Sequence, residues 1–209
     1  RATPSDKIKA GDAASFEGNN TTHFSVIDRF GNAVANTYTI NLSYGVGMIA
    51  DGTGILLNNE LDDFAAAPGV PNSFGLVGYE ANEPGPNKRP LSSMTPTIIL
   101  RNSRPFMVTG SPGGSRIITA VLQVILNVID YGIPLGEAEH APRIHHQWLP
   151  DETMIEPTVP SDVAKALEAR GHHVTVWPPF TSVNSIVVTP QGLVGAADSR
   201  TRGALAAGY

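Results

Sequence analysis

The sequence predicts an α+β domain in which antiparallel sheets and helices are stacked in layers. Three observations support this: hairpin patterns in the first half of the chain, an apolar helix pattern in the middle, and two short strand patterns near the end. The order of strands, helices and strands differs from the regular βα alternation of parallel sheets. The 209 residues, 41% hydrophobic and 16% charged, suffice for the core of one domain.

The first hairpin pattern follows a polar arm. Residues 1–20 show no periodicity, and we expect them to be extended or mobile. From Thr22 apolar and polar residues alternate, residues 29–32 predict a turn, and residues 33–42 predict the returning strand. Residues 62–90 are rich in proline and glycine and predict a long loop, and loops of this length usually carry function.

The middle of the chain predicts a second hairpin and then a helix. The hairpin consists of residues 95–100 and 106–109, and the helix follows a turn at residues 111–115. Its polar residues form one narrow stripe on an otherwise apolar cylinder, so we expect this helix to be mostly buried. The stripe contains Thr119, Gln123, Asn127 and Asp130.

The C-terminal part predicts one more helix and three strands. Ser161 is predicted to cap an amphipathic helix that ends before Gly171. Residues 173–177 predict a strand, and residues 185–188 and 193–196 predict strands on either side of a Pro-Gln-Gly turn.

Composition and hydropathy exclude several classes of function. The net charge of −5 and the scattered basic residues give no surface for nucleic acid. The longest apolar run, residues 117–129, is too short and too often interrupted to span a membrane. The absence of cysteine excludes disulfides and thiol nucleophiles. Because the chain begins at Arg1 without a signal-like segment, we expect it to be the C-terminal piece of a longer protein.

A doubled threonine, Thr21-Thr22, lies at the boundary between the polar arm and the first strand pattern. It overlaps two glycosylation sequons, so a turn or a glycosylated loop is one interpretation. Cleavage between Asn20 and Thr21 is the other. It would give Thr21 a free α-amine, which titrates at a pKa of about 8 and can take the proton from a hydroxyl nucleophile.

Three further segments have both a structural and a chemical interpretation. The turn containing Gly113 and Gly114 is either a tight turn or, through its backbone amides, an oxyanion hole; a phosphate loop lacks the required motif. Glu60 and Asp63 lie in an acidic, amide-rich run that is either a solvated turn or a binding site for an ammonium group. Ser92-Ser93 is either a turn or a site for a carboxylate.

The histidines do not form a metal motif. Most of them are concentrated at residues 140–146 and 172–173, without the spacing to carboxylates that metal sites show. We therefore expect no metal and no cofactor. His23, close to the doubled threonine, is expected to orient the strand and not to act as a base.

Taken together, several motifs resemble the C-terminal small subunit of the γ-glutamyltranspeptidase (glutathione hydrolase) family. The resemblance runs from about Pro4 to Tyr209 in one order. It implies the fold of the N-terminal-nucleophile hydrolases, a four-layer αββα sandwich of two antiparallel sheets between helix layers. The motifs are "TTHFSV", "NTYTINLSYG", "GILLNNELDDF", "PGVPNSFGLVG", "GPNKRPLSSMTPTI", "TGSPGGSRI", "APRIHHQWLPD" and "AAGY".

The resemblance also implies roles for individual residues. Residues 1–20 would be the tail of the large subunit and residues 21–209 the catalytic small subunit. Thr21 would be the nucleophile both of self-cleavage and of attack on the γ-glutamyl amide of glutathione, with the acyl group passed to water or to an amino acid or peptide. Thr39 would form a hydrogen bond with the hydroxyl of the nucleophile. Asn41, Glu60 and Asp63 would hold the α-amino group of the substrate, and Ser92 and Ser93 its α-carboxylate. The backbone amides of Gly113 and Gly114 would form the oxyanion hole.

Two departures from the family pattern are expected to matter. Residues 63–90 include the segment that resembles the lid over the glutamyl pocket. Phe74 stands in this segment where many bacterial relatives have tyrosine, so we expect a looser lid. The large subunit, which the family uses as a partner and as the source of an arginine for the α-carboxylate, is absent. The family also implies a periplasmic or secreted location.

Two alternative functions stay open on the sequence. A related acylase, acting on glutaryl-cephalosporin or poly-γ-glutamate, would share the nucleophile, although a glutaryl group offers no ammonium to Glu60 and Asp63. An unprocessed, non-catalytic chain would retain the bond between Asn20 and Thr21.

Overall fold

The computed structural model describes residues 21–208, so the predictions for residues 1–20 lie outside the described residues. It contains helices α1 (Ile117–Ile129), α2 (Leu135–His140) and α3 (Ser161–Glu168). The strands are β1 (Thr22–Ile27), β2 (Ala33–Tyr38), β3 (Thr97–Arg101), β4 (Arg104–Thr109), β5 (Ile144–His145), β6 (Thr153–Ile155), β7 (Val174–Val176), β8 (Asn184–Thr189) and β9 (Gly192–Ala197).

Strands β1 and β2 form the predicted first hairpin, with a register that runs from Thr22 opposite Tyr38 to Ile27 opposite Ala33. Its turn is held by Asp28, whose carboxylate accepts backbone N–H groups from Phe30 and Asn32. The second strand ends at Tyr38, earlier than predicted. The chain turns away soon afterwards, where Asn41 takes the left-handed conformation with φ of 73°.

A four-stranded antiparallel sheet with the order β3-β4-β8-β9 forms the centre of the molecule. It joins the predicted second hairpin to the predicted C-terminal strand pair. The first hairpin packs against β8, where Ser25 Oγ donates to the carbonyl of Asn184 at 2.9 Å. Helices α1 and α2 pack on Met107 and Val187 of the sheet. This layering of hairpin, sheet and helices confirms the α+β sandwich.

Helix α1 is only half buried among residues 21–208, so the prediction that it is mostly buried is wrong for one face. Ile117, Ala120, Val121 and Val124 are buried against the sheet. On the other side Ile118 and Leu122 are each about half exposed, because no described segment covers that apolar face. With 13 residues it is the longest described helix, and none of the described helices is long and apolar enough to cross a membrane.

A third sheet, with the order β5-β6-β7, contains two strands that the sequence did not predict. Strand β7 matches the prediction, but it pairs with β6 in parallel because α3 connects them as a crossover. Ser161 is the first residue of α3 and not its cap. Pro160 is the N-cap residue, and no side chain caps the helix. Helix α2 also lay outside the predictions because it is too short to show a period.

A buried ionic cluster fixes the segments behind the sheets. Arg143 contacts Asp198 at 2.7 Å, and Arg200 bridges Glu156 at 2.6 Å and Asp198 at 3.1 Å. Glu139 lies in the same region. The three acids Glu139, Glu156 and Asp198 and the guanidinium of Arg143 are almost completely inaccessible to solvent. Burial, together with the charge of Asp198, raises the pKa of Glu139 to about 8. Glu139 is therefore neutral at pH 7, which limits the charge that this cluster buries.

Candidate active site

The hydroxyl of Thr21 is buried and donates a hydrogen bond to Thr39 Oγ1 at 2.9 Å. Thr39 Oγ1 also accepts the backbone N–H of Asn41 at 2.8 Å. The hairpin register produces this arrangement, because Thr22 pairs with Tyr38 and the next residues outward are therefore Thr21 and Thr39. The pairing of nucleophile and assisting threonine expected from the sequence is thus a consequence of strand pairing.

His23 forms side-chain hydrogen bonds within the first hairpin and none to Thr21. Its ring nitrogens pair with Thr37 Oγ1 at 2.7 Å and Ser25 Oγ at 3.0 Å. Burial lowers the pKa of His23 to about 4, so the ring is neutral. The ring packs so closely on Gly110 that a Cβ at that position would overlap it. This contact brings the start of β1 next to the end of β4, from which the glycine turn continues.

The acidic segment lies against the end of the first hairpin. Glu60–Asp63 form a 3-10 helix, and the preceding Asn59 links it to the hairpin. Asn59 accepts the N–H of Leu42 with its side chain at 3.0 Å, and its carbonyl accepts Asn41 Nδ2 at 3.2 Å. These two bonds attach the acidic segment to Asn41 and Leu42, which follow Thr39 closely in the chain. The sequence did not single out Asn59.

The pKa values of the Glu60 and Asp63 carboxyl groups are both raised, and burial is the largest cause for each. Burial, and next the charge of Asp63, raises the pKa of Glu60. Burial, and next the charge of Asp62, raises the pKa of Asp63. One Glu60 oxygen is buried without a hydrogen-bond partner in the described chain. A cation placed between these groups would ionise both, and a primary ammonium provides the three donors that such a site can accept.

Asn82 connects the acidic segment to the serine pair. Its Nδ2 donates to the carbonyl of Asp63 at 2.8 Å, and its Oδ1 accepts the N–H of Leu91 at 3.0 Å. Leu91 immediately precedes Ser92 and Ser93, so one side-chain amide fixes both segments. Ser92 is exposed and its hydroxyl accepts the N–H of Met94 at 3.2 Å. The signal for Asn82 in the sequence was only its place in a long loop.

The glycine turn continues from β4 and has no room for side chains. Gly113 has φ of 139°, and a Cβ there would approach Thr181 Cγ2 to 2.7 Å. Thr181 is itself held by Arg143 of the ionic cluster at 2.8 Å. Gly114 has φ of 59° and begins a short 3-10 helix. Backbone N–H groups at the start of a helical segment lack partners within the helix, and an oxyanion hole requires such donors.

Phe74 of the expected lid lies over the glycine turn. A Cβ on Gly114 would overlap its ring. The local shape of the lid is set by Asn72, whose Oδ1 accepts the N–H groups of Phe74 and Leu76, each at 3.0 Å. Asp62 Oδ2 lies 3.3 Å from the N–H of Ser73 and 3.5 Å from Asn41 Nδ2. The contacts therefore join the lid, the acidic segment and the hairpin around one site.

No group of three or more histidine and carboxylate side chains within residues 21–208 is arranged to hold a metal ion. The exposed His146 pairs with Asp151 at 3.2 Å. His145 is buried, and its ring nitrogens form hydrogen bonds with Thr119 and Gln147.

The layered α+β fold, with Thr21 immediately before its first strand, agrees with the class of N-terminal-nucleophile hydrolases. The family model described as Gamma-glutamyltranspeptidase matches residues 1–208. The chain therefore belongs to the γ-glutamyltranspeptidase family.

Individual relatives agree with this assignment. The chain is 55% identical to the glutathione hydrolase proenzyme of Escherichia coli (strain K12), over 100% of the chain and 36% of that protein. A crystal structure of a mutant Helicobacter pylori γ-glutamyltranspeptidase matches with a TM-score of 0.82 at 55% identity, covering 86% of this chain and 100% of that one. The Pseudomonas nitroreducens enzyme complexed with L-DON matches with a TM-score of 0.84 at 44% identity, covering 90% and 100%. The chain thus spans little more than a third of the length of the curated relative.

Proposed function

We propose that residues 21–209 are the catalytic small subunit of a self-processing γ-glutamyl transferase and hydrolase, and that residues 1–20 are the end of its large subunit. The observation that carries this proposal is the partly buried hydrogen bond from Thr21 to Thr39, formed by strand register at the head of β1. The resemblance of the chain to glutathione hydrolase proenzymes supports processing before Thr21.

Processing begins when the Thr21 hydroxyl attacks the carbonyl of Asn20. The Oγ–C bond forms as the Asn20–Thr21 C–N bond breaks. The nitrogen keeps its own hydrogen and takes up the proton that the hydroxyl loses, and so becomes the α-amine of Thr21. Water then hydrolyses the resulting ester and frees the Thr21 hydroxyl. Until this cleavage occurs the chain has no α-amine next to its nucleophile, so the uncut form is inactive.

Turnover uses the same hydroxyl. The α-amine takes the proton as Thr21 Oγ attacks the γ-glutamyl carbonyl, and the Gly113 and Gly114 amides stabilise the oxyanion. The proton passes to the leaving amine as the amide C–N bond breaks, leaving a γ-glutamyl ester on Thr21. Water releases glutamate from this ester, and an amino acid or peptide amine accepts the glutamyl group in transpeptidation. The Thr39 hydroxyl, already bonded to Thr21, holds the nucleophile in place throughout.

The donor is recognised by its amino-acid end. Glu60 and Asp63 would hold its ammonium, and Asn41 would add its Oδ1, because its Nδ2 is used in the bond to Asn59. Ser92 and Ser93 would hold the α-carboxylate across the site, at the distance that the Asn82 bridge sets. Glutathione and other γ-glutamyl compounds share this end, so they form the proposed substrate class. No cofactor enters the scheme.

The partner would be the large subunit of the same precursor. Exposed apolar side chains lie on the first hairpin, where Phe24, Val26, Val34 and Tyr38 are 42–58% accessible, and on α1 at Ile118 and Leu122. Apolar surface of this extent on a soluble enzyme indicates a binding face. A periplasmic or secreted location follows from the family resemblance and remains an expectation.

The proposal is tested by expressing the full-length proenzyme and following its intact mass at neutral pH. We expect cleavage between Asn20 and Thr21, followed by turnover of a γ-glutamyl anilide. Thr21→Ala should stay whole and inactive, whereas Thr22→Ala, whose side chain is exposed, should process and turn over donor. A wild-type proenzyme that stays whole would instead identify a non-catalytic chain.

A related acylase that acts on a glutaryl group is the second candidate function. A glutaryl anilide has the same scissile bond but lacks the α-ammonium, so the enzyme should prefer the γ-glutamyl anilide by at least about a hundredfold in kcat/KM. Equal turnover of both would remove the role given to Glu60 and Asp63.

A further inference from the structure

The side chain of Gln147 contacts both the lid and the glycine turn directly through hydrogen bonds. It lies just after β5, in a segment that the sequence connected only with its neighbouring histidines. Its Nε2 donates to the carbonyl of Phe74 at 3.1 Å and to that of Leu149 at 3.3 Å. Its Oε1 accepts from Ser115 Oγ at 2.7 Å and from His145 Nε2 at 2.9 Å.

These four bonds use the complete hydrogen-bonding capacity of a primary amide. They also fix its orientation, since a flipped amide would place its oxygen against two carbonyl oxygens. Ser115 directly follows Gly114, so the oxygen end of Gln147 is attached to the turn and the nitrogen end to the lid. Phe74 is thereby restrained twice, by its carbonyl at Gln147 and by its ring on Gly114.

The oxygen end of Gln147 is held by His145, which connects it to α1. His145 is buried, and its Nδ1 pairs with Thr119 of α1 at 2.7 Å. Burial, with the nearby charge of Arg116, lowers the pKa of His145, so its neutral ring can donate from Nε2. The next residue after Gln147, Trp148, has φ of 71°, a conformation that bulky side chains rarely adopt.

We propose that Gln147 is a positioning residue that latches the lid over the glutamyl pocket by holding the Phe74 carbonyl to the glycine turn. The proposal deepens the proposed function and rests on it for its kinetic consequences. The latch acts on the backbone, so it needs no hydroxyl on residue 74. It explains how a lid with phenylalanine at that position can be held closed.

The test compares two isosteric variants of the processed enzyme. Gln147→Glu removes both donor hydrogens and places a carboxylate against the carbonyls of Phe74 and Leu149. Gln123→Glu is the matched control, because Gln123 also donates to two carbonyls, those of Thr119 and Ile144, each at 2.8 Å, but contacts neither lid nor turn. Limited chymotrypsin digestion, read by mass spectrometry, reports cleavage after Phe74 and requires no catalytic activity.

We expect Gln147→Glu to increase the rate of cleavage after Phe74 about tenfold, the equivalent of one lost hydrogen bond. The KM for a γ-glutamyl donor should also rise about tenfold while kcat and processing stay within about threefold of wild type. Gln123→Glu should match wild type in both measurements. Cleavage and KM at wild-type values in Gln147→Glu, or equal increases in both variants, would overturn the proposal.

A second variant keeps the test decisive if Gln147→Glu does not fold. Ser115→Ala leaves the Phe74 contact in place but removes one anchor of the amide, so cleavage after Phe74 should increase about threefold. An unchanged rate would contradict the latch. If wild type does not turn over any γ-glutamyl donor, the proposed function fails, whereas the digestion result still decides whether Gln147 holds the lid.

Discussion

The half of the site that would carry the nucleophile is positioned by backbone, and the half that would bind the donor is positioned by side-chain amides. Thr21 and Thr39 meet because β1 and β2 pair in one register, and the glycine turn is shaped by the φ angles of Gly113 and Gly114. The acidic segment, the serine pair and the lid lie on long loops that are tied together by Asn59, Asn72, Asn82 and Gln147. In the proposed function, chemistry would thus be placed on strand-positioned residues and recognition on loops.

The largest effect is expected in the backbone-positioned half. Gly113→Ala would bring a Cβ within 2.7 Å of Thr181 and displace the turn, so kcat should fall by about 100 to 1,000 fold, as when an oxyanion donor is lost. Gly132→Ala is the control, since Gly132 also has positive φ of 64° but has nothing within 4 Å of an added Cβ. The control should lower stability by about 1 kcal/mol and leave steady-state kinetics unchanged. Equal kinetics in the two variants would remove the glycine turn from catalysis.

A smaller effect, confined to binding, is expected from the amide-positioned half. Asn82→Ala breaks the bridge between Asp63 and Leu91, so the KM for donor should rise about tenfold with little change in kcat. Asn87→Gly serves as control because Asn87 is exposed and has φ of 60°, which glycine accepts. A fall in kcat as large as the rise in KM would show that the two halves of the site are not separable.

The ionic cluster behind both halves gives a pH-dependent prediction. Because the pKa of Glu139 is raised in the folded protein from 4.5 to about 8, its stabilising contribution is complete below pH 4.5 and is lost as the pH rises toward 8. In that window wild type should lose stability relative to Glu139→Gln with a slope approaching about 1.4 kcal/mol per pH unit. Thermal unfolding at several pH values measures this difference. Glu137→Gln, exposed on the same helix, should follow wild type. Parallel curves for Glu139→Gln and wild type would show that Glu139 is charged in the folded state.

The smallest effect is expected at the lid. Phe74→Tyr adds a hydroxyl to a ring that already lies on Gly114, so donor KM should fall by about two- to fivefold, through one further hydrogen bond. Steady-state titration with a γ-glutamyl anilide measures it. An unchanged KM would indicate that the Phe74 carbonyl and ring contacts already hold the lid.

The two halves also differ in how far the sequence predicts them. Alternation around residues 29–32 predicts the first hairpin, and the hairpin register places Thr21 opposite Thr39. The loop-borne bridges are different, because each joins residues far apart in the chain, such as Gln147 and Phe74, through a side chain bonded to backbone. Such bonds leave no periodic signal. The exposed face of α1 was missed for a related reason, since an apolar pattern does not reveal whether the covering surface belongs to the same chain.

The ionic cluster was also missed. Arg143, Glu156 and Asp198 are separated by many residues. Arg143 and Glu156 lie next to the short strands β5 and β6, which carry no pattern of their own, and Asp198 directly follows β9. A charged residue in such a segment is ordinarily expected at the surface, and only the tertiary arrangement brings these charges into pairs.

The measurement that tests the central claim most directly is peptide mapping of the processed enzyme, quenched in acid during turnover of a slow γ-glutamyl donor. The account predicts that one γ-glutamyl group is attached, and that it is located on Thr21 at the head of the small subunit. A γ-glutamyl group on any other residue, or steady turnover with no covalent adduct under conditions where breakdown of the ester limits the rate, would contradict it.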